Sequence, residues 1–471
     1  MNQPTEKPQN EIPIADPTGT ARRRFLLPLA LAQFICSFAG SNMNVMINDI
    51  SEDLDTDVQG VQLAITLFLL IMAILMIPAS KLTDRWGRRR CFIGGLLLYG
   101  VGALLSALAP GLGVLIIGNS VLEGIGTALL IPPVYILTTI AFSDITSRAR
   151  AFGVISGLGG IGAAAGPLIG GLIATAISWR AAFLFQAAVV AAILLLSRRM
   201  VDPLPPDPTR PFDVAGAILS AVGMFFVVLG ILQADSNGLL FVVFLAIGAA
   251  FLLSFFIYIR SRERAGKEPL LSTALFRNRT SNLGLATQNA QWLILMGTSF
   301  VVAVYLQTVR GYNPIETGAI FTAATVGILV SSLAAERLAR KRAQRTLIVG
   351  GFLGTLAGIG LLIGLVQASS SIFAFVPGLL LIGLGLGVML TPSVNVVQSS
   401  FPEALQGEIS GLSRSVSNLG STFGTAIAGT ILVSGLSSGA YALAMVALAV
   451  VAVIGLAAAM FLPANPEAQN A

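Results

Sequence analysis

The chain reads as an all-α polytopic membrane protein with 14 transmembrane helices, grouped as 6+2+6, and both termini in the cytoplasm. Three observations predict this. Of 471 residues, 55% are hydrophobic and 11% are charged, whereas soluble domains carry about 25% charged residues. The apolar residues gather into fourteen runs long enough to span a bilayer. The bases fall almost wholly in alternate connections, and short loops rich in Lys and Arg stay on the cytoplasmic side.

In chain order, residues 1–24 form a polar N-tail that ends in Arg22, Arg23 and Arg24 and does not resemble a cleavable leader. Six runs follow, at about 25–48, 58–79, 91–109, 112–135, 152–175 and 182–200, and make an N-terminal bundle over 25–200. Residues 201–280 are a Pro-rich linker, two nearly pure apolar runs (about 214–233 and 238–259) and a long basic loop; the two runs read as a lipid-facing hairpin. A second bundle over 281–462 holds runs at about 281–307, 317–335, 347–367, 371–394, 411–433 and 440–462, before a short cytoplasmic C-tail, 463–471. The connection after the first run is acidic (Glu52, Asp53, Asp55, Asp57), and its side of the membrane shows only Arg180 and Arg310.

Several function classes drop out. Histidine is absent and the two cysteines, Cys36 and Cys91, fall in or beside apolar runs. Neither a disulfide framework, a metal cluster nor a histidine relay is expected, and no cofactor. No phosphate-binding loop of the Walker kind occurs. The net charge of +6 lies in short loops, which points to membrane orientation and not to nucleic acid. No nucleophile–base pair suggests an enzyme.

The stretch Ser80 to Arg90 (Ser-Lys-Leu-Thr-Asp-Arg-Trp-Gly-Arg-Arg-Arg) joins two membrane-length runs and must connect adjacent antiparallel helices. Gly87 suits the reversal. Two readings stay open: a positive-inside retention loop, or a latch in which Asp84, Arg85, Arg88 and Arg89 pair with Asp144 and Arg148 and bias a two-state bundle. In the fifth run Gly162, Gly166 and Gly170 recur every four residues, followed by Gly171, and open a groove for a neighbouring helix; Pro167 permits a kink.

These two stretches resemble the major facilitator superfamily. Leu82, Asp84, Arg85, Gly87, Arg88 and Arg89 fit the family's signature between helices 2 and 3, with Ser80 where glycine is usual. Residues Gly162 to Gly171 are similar to its antiporter motif in helix 5. Lys267 to Leu271, Leu275 to Arg279 and Pro211 to Gly216 resemble its fourteen-helix drug:proton antiporter branch. Two positions that bear on proton coupling in that branch differ: helix 4 reads Ser120-Val-Leu-Glu123-Gly124-Ile-Gly126 without the usual arginine, and Ala39 stands where helix 1 usually carries aspartate. The resemblance implies the family's fold and an alternating-access exporter of small amphipathic organic compounds in a bacterial inner membrane. Proton antiport, a hinge at Gly162–Gly171, and a monomer working with the lipid bilayer, its substrate and protons are expected with it. Rival readings are a narrow-specificity metabolite exporter or uniporter, and a membrane sensor or lipid scramblase without solute turnover.

Glu123 is the one acid well inside a run, and a mid-membrane carboxyl is a functional hypothesis by default. It is the coupling candidate; structural glue between helices is the alternative. Asn119 and Thr127 lie on its helix face. A polar stripe in the first run, Gln33, Ser37, Ser41, Asn44 and Asn48, faces either a wet cavity or another helix. In the second bundle Gln288, Asn289, Gln291 and Trp292 suit an amphipathic ligand, or else interhelical hydrogen bonds. Arg414 and Asn418, near the start of the thirteenth run, stand one turn apart; the resembling family often has an Arg-Gln pair where Ser417-Asn418 stands, and Arg414 either replaces that arginine from one turn earlier or snorkels to the interface.

Overall fold

The structure is a computed structural model describing residues 19–463, apart from 143–144, 199, 201, 203–205, 210, 235–236, 340–341, 370 and 402–404. Among the described residues it is all helix and turn, with 13 helices long and apolar enough to cross a membrane. In chain order these are α1 (Phe25–Asp53), α2 (Val58–Thr83), α3 (Arg88–Ala107), α4 (Leu112–Thr138), α6 (Trp179–Ser197), α7 (Val214–Leu232), α8 (Gly238–Arg264), α9 (Arg279–Val309), α10 (Pro314–Ala335), α11 (Gln344–Ala368), α12 (Ile372–Gln398), α13 (Glu408–Val433) and α14 (Ser438–Met460). Between α4 and α6 lies α5 (Ile145–Ala176), whose arms Gly157–Ala163 and Ala165–Ala176 meet at 43°. Counted as one span, α5 brings the total to 14. Its break falls one turn before Pro167, where the proline ring crowds the carbonyl four residues back.

Polar residues between the apolar runs start the helices. Asp57, Asp213, Asn237 and Asn278 each accept a backbone N–H in the first turn of α2, α7, α8 and α9, at 2.7–3.1 Å. The stretch expected as a connection after α2 is mostly helix. The α2 helix continues to Trp86, α3 begins at Arg88, and Gly87 alone makes the reversal at φ +97°. Hydrophobicity marks the part of a helix in hydrocarbon, and helix propensity carries the backbone past it.

Packing sorts the helices. In the first half α1 lies along α5, α3 along α4 and α6, and α2 along α4; in the second, α9 lies along α13 and α14, and α12 along α10 and α11. The halves meet where α2 packs on α13, α5 on α10, and the outer part of α1 on α9. Lipid tails are as apolar as leucine, so close approach and buried hydrogen bonds hold such helices together. Glycines supply the approach. A Cβ built at Gly95 or Gly102 of α3 would stand 2.8 or 2.6 Å from the carbonyl of Gly126 or Gly118 in α4. In α11, Gly351 and Gly358 meet Gly385 and Gly378 of α12 at 2.6 and 2.7 Å in the same way.

The α7–α8 pair packs on itself, and α7 touches α2 and α13. Much of α8 is exposed, including Leu239, Val242, Leu253 and Ile257. The loop after it is pinned: Asp213 accepts from Gly216 N, Leu270 N and the Tyr258 hydroxyl. Leu270, Leu271 and Leu275 then fill a small core with Ile77 of α2, Leu285 of α9, Val397 of α12 and Leu412 of α13.

Candidate functional site

The seam between the halves differs at its two ends. At the end of the acidic loop it is sealed by side chains reaching across. Asn44 Nδ2 donates to Ser299 Oγ (3.1 Å), Gln307 Nε2 to the Asn44 carbonyl (2.9 Å), and Thr308 Oγ1 to Asn48 Oδ1 (3.0 Å). Beside them α5 and α10 touch backbone to backbone, Gly171 against the Pro314 carbonyl and Gly318 against that of Pro167. Ile315 N donates to Thr175 Oγ1 (3.2 Å). Asp53 anchors this end by accepting from Trp179 Nε1 (3.0 Å) and pairing with Arg180.

At the same end, one turn into α2, Gln62 Nε2 donates to the Thr425 carbonyl of α13 (3.2 Å), where Gly429 leaves room for it. A cavity of about 50 Å³ lies between the halves, bordered by Ser41, Pro167, Thr298, Ser299, Phe321 and Thr325. Drug-sized sites measure about 300–1,000 Å³. This void is room for water.

At the end of the basic loops the contacts run through α13. Lys81 Nζ pairs with Glu408 Oε1 (2.8 Å), while Glu408 Oε2 accepts Ser272 N (3.2 Å). Ser415 Oγ donates to the Ala73 carbonyl (2.7 Å). The Arg414 guanidinium lies 4.6 Å over the Tyr135 ring, and Tyr135 donates to Gln33 Oε1 (3.4 Å). Among the described residues α4 and α12 share no extensive contact.

The predicted residues fall into separate places. On α1, Ser41 borders the void and Gln33 meets Ser37 and Tyr135, whereas Asn44 belongs to the seal. Glu123 is fully enclosed within the first half and does not border the void. It ends a π-helical turn of α4, Ile116–Glu123, and lies against Gly102 of α3, where a side chain would collide with it. Its Oε1 accepts from Ser106 Oγ (3.5 Å), and Oε2 has no partner among the described residues. The Tyr99 hydroxyl beside it lies between Gln186 Oε1 and the Ile35 carbonyl. Cys36 is a neighbour, and Asn119 and Thr127 are buried one turn before and after it.

The amides of α9 join helices of the second half rather than bordering the void. Gln288 bridges the Ser393 carbonyl (3.0 Å) and Ser413 Oγ (2.6 Å), Asn289 donates to the Val416 carbonyl (2.9 Å), and Gln291 to Ser393 Oγ (2.5 Å). Buried amides need partners, and neighbouring helices provide them. Trp292 is half-buried, and Asn418 lies one turn beyond Arg414 on α13, its carbonyl accepting from Thr422.

The glycine motif divides its work. Gly162 meets the Phe34 carbonyl, Gly166 Ser41 and Gly170 Asn42, all on α1, while Gly171 faces α10. Asp144 and the side chains of Asp84 and Arg148 lie outside the described residues. The start of α3 has another acceptor: Asp202 Oδ2 takes Arg88 N (2.7 Å) and Arg89 N (3.2 Å). Arg85 is half-buried at the end of the same α2 extension. Sequence reasoning missed Asp202, Glu408, Gln62 and Gln307. The two glutamines carried a usable signal as polar residues inside apolar runs. No group of three potential metal ligands occurs among the described residues.

A family model described as Major Facilitator Superfamily matches residues 29–425 and 284–471. The chain is 30% identical over 415 residues to the puromycin resistance protein pur8 of Streptomyces alboniger, covering 86% of this chain and 81% of that one. It is 28% identical over 415 residues to the multidrug resistance protein Stp of Mycobacterium tuberculosis (88% and 76% covered). To the multidrug efflux pump LfrA of Mycolicibacterium smegmatis it is 28% identical over 410 residues (86% and 80%). A crystal structure of the peptide transporter POT in complex with sulfate shares the fold, with TM-score 0.69 and 18% identity over 93% of this chain and 95% of that one.

Proposed function

The chain belongs to the Major Facilitator Superfamily, and from that premise we propose how its seam carries out export. It is a multi-pass inner-membrane transporter of the drug-efflux kind, not an enzyme. Its fourteen helices act as 6+2+6, with bundles over 25–200 and 281–462 that rock about the void and a two-helix insertion within 201–280. Both termini and the basic loops face the cytoplasm, which makes the sealed end periplasmic and the described conformation inward-facing.

One observation carries this reading: hydrogen bonds and glycine-to-backbone contacts between halves close the acidic end, and contacts of both kinds can part and re-form while each bundle stays folded. Such a seam has two states separated by a few kcal/mol, as alternating access requires. On opening it exposes Gln33, Ser37, Ser41, Thr298, Ser299 and Trp292 to an amphipathic organic substrate. The joint of α2 and α3, with Gly87, Arg88 and Arg89, is the cytoplasmic latch, and Gly162–Gly171 the hinge.

Proton antiport is the coupling, with Glu123 as carrier. Each charge entering contributes about 2.3 kcal/mol per 100 mV. The proton acts through the fit of α4 on α3 rather than by contact with cargo, because Glu123 is buried against Gly102 and Ser106 and does not border the void. That enclosure is also the observation favouring a uniporter.

The deciding experiment joins Asn44→Cys to Ser299→Cys in a Cys36→Ser, Cys91→Ser background. Oxidation should stop drug efflux from proteoliposomes and reductant should restore it; full-rate efflux through the cross-linked protein overturns the mechanism. Glu123→Gln tests coupling separately. Efflux by the variant should lose its response to an imposed pH gradient, and an unchanged response selects the uniporter.

A further inference from the structure

Where α3 begins and α6 ends, at the basic end, the surface holds a pocket of about 420 Å³ lined by Trp86, Arg89, Arg90, Arg198, Met200 and Asp202, among others. Three arginines and one carboxylate line it, and that carboxylate accepts the backbone N–H groups of Arg88 and Arg89. Arg89 Nη2 donates to the Arg198 carbonyl (3.4 Å), which ties the two walls together. The lining therefore carries an excess of positive charge beside Trp86, a ring 54% exposed at the level where interfacial aromatics anchor.

The surface below the pocket is apolar. Leu97, Val101 and Leu104 of α3 are 53, 55 and 47% exposed and form one stripe, with Arg90 on the same face seven residues before Leu97. Leu195 and Leu196 at the adjoining end of α6, packed beside α3, are half exposed. A basic pocket thus opens at the head of an apolar track that runs along the membrane normal.

We propose that this is a binding site for an anionic glycerophospholipid, its phosphate among Arg89, Arg90 and Arg198 and its acyl chains along the leucine stripe. A soluble phosphate would use the arginines and leave Trp86, exposed at the interface beside them, outside the site. A zwitterionic lipid would bring its own cation into a cluster that already has too many. Basic pockets at the cytoplasmic ends of helices bind anionic headgroups for this reason. The bound lipid spans the start of α3 and the chain after α6, so it braces the joint at Gly87.

The test uses the full-length protein in nanodiscs of phosphatidylcholine doped with brominated phosphatidylglycerol or, at equal mole fraction, brominated phosphatidylcholine. Trp86 quenching is obtained by subtracting the signal of a Trp86→Phe variant. Brominated phosphatidylglycerol should quench at several-fold lower mole fraction. Arg90→Gln with Arg198→Gln should weaken that preference roughly 25-fold, about a factor of five for each base near an anionic surface. Arg264→Gln, an exposed base at the end of α8, should leave it intact. Equal quenching by the two lipids overturns the proposal. So does loss of the preference on adding millimolar inorganic phosphate, which would make the ligand a soluble anion. If the double variant does not fold, the wild-type comparison and the phosphate competition decide the matter.

Discussion

The α3–α4 contact and the α11–α12 contact are the same device in the two halves, with one difference. Each pairs two glycines with two glycines, carbonyl against bare Cα. On α3 and α11 the glycines stand seven apart (Gly95 and Gly102; Gly351 and Gly358), and on α12 again seven (Gly378 and Gly385). On α4 they stand eight apart (Gly118 and Gly126). A regular helix would carry that extra residue round the cylinder and lose one contact. The π turn Ile116–Glu123 absorbs it, and Glu123 ends that turn. A π turn is a local inefficiency that persists mainly where it does something. Here the glycine contact with the irregular turn is also the one that encloses an acid. In the other, Thr355 lies against Gly385, with its hydroxyl bonded to its own helix.

The comparison makes predictions in order of size. Filling either seam should be most damaging. Gly102→Leu and Gly358→Leu force a branched side chain onto backbone, and both should lose most folded protein in fluorescence-detected gel filtration. Alanine at the same sites should cost about 1–3 kcal/mol. If one half tolerates leucine, the two seams are not equivalent. Removing the extra residue is the sharper cut. Deleting Val121 restores seven-residue spacing and should leave folded, membrane-inserted protein whose drug efflux falls at least about tenfold, since a regular helix rotates Glu123 away from Ser106. Full efflux by that variant would make the π turn a passive defect. Glu408→Gln should have the smallest effect. Its pair with Lys81 is about one-fifth exposed, and such a pair is worth roughly 1 kcal/mol or less. Thermal stability should move by a few degrees at most, while Gly102→Ala moves it further.

The helices were legible because the hydrocarbon core imposes one length and one composition on every crossing. The Gly162–Gly171 motif was legible because a four-residue repeat of glycines has a single geometric meaning on a helix. Partners separated by long stretches of chain were not. Nothing local marks Asp202 as the acceptor for Arg88 N, or Glu408 as a bridge between Lys81 and Ser272 N. Side-chain direction was half legible. The amides of α9 share a polar face, but a polar face turned to Ser393 and Val416 has the same sequence pattern as one turned to water. The irregular turn of α4 leaves its trace only when the two halves are laid side by side and the glycines counted.

Gly87 is the whole of the joint between α2 and α3, a single residue between two long rods. With no slack to take up, neither rod can slide without dragging the other. Whatever pulls on the chain at Asp202 is therefore felt at Lys81 and, through Glu408, in the opposite half of the molecule. Splicing a few flexible residues in at this corner would disconnect that lever while leaving each rod intact.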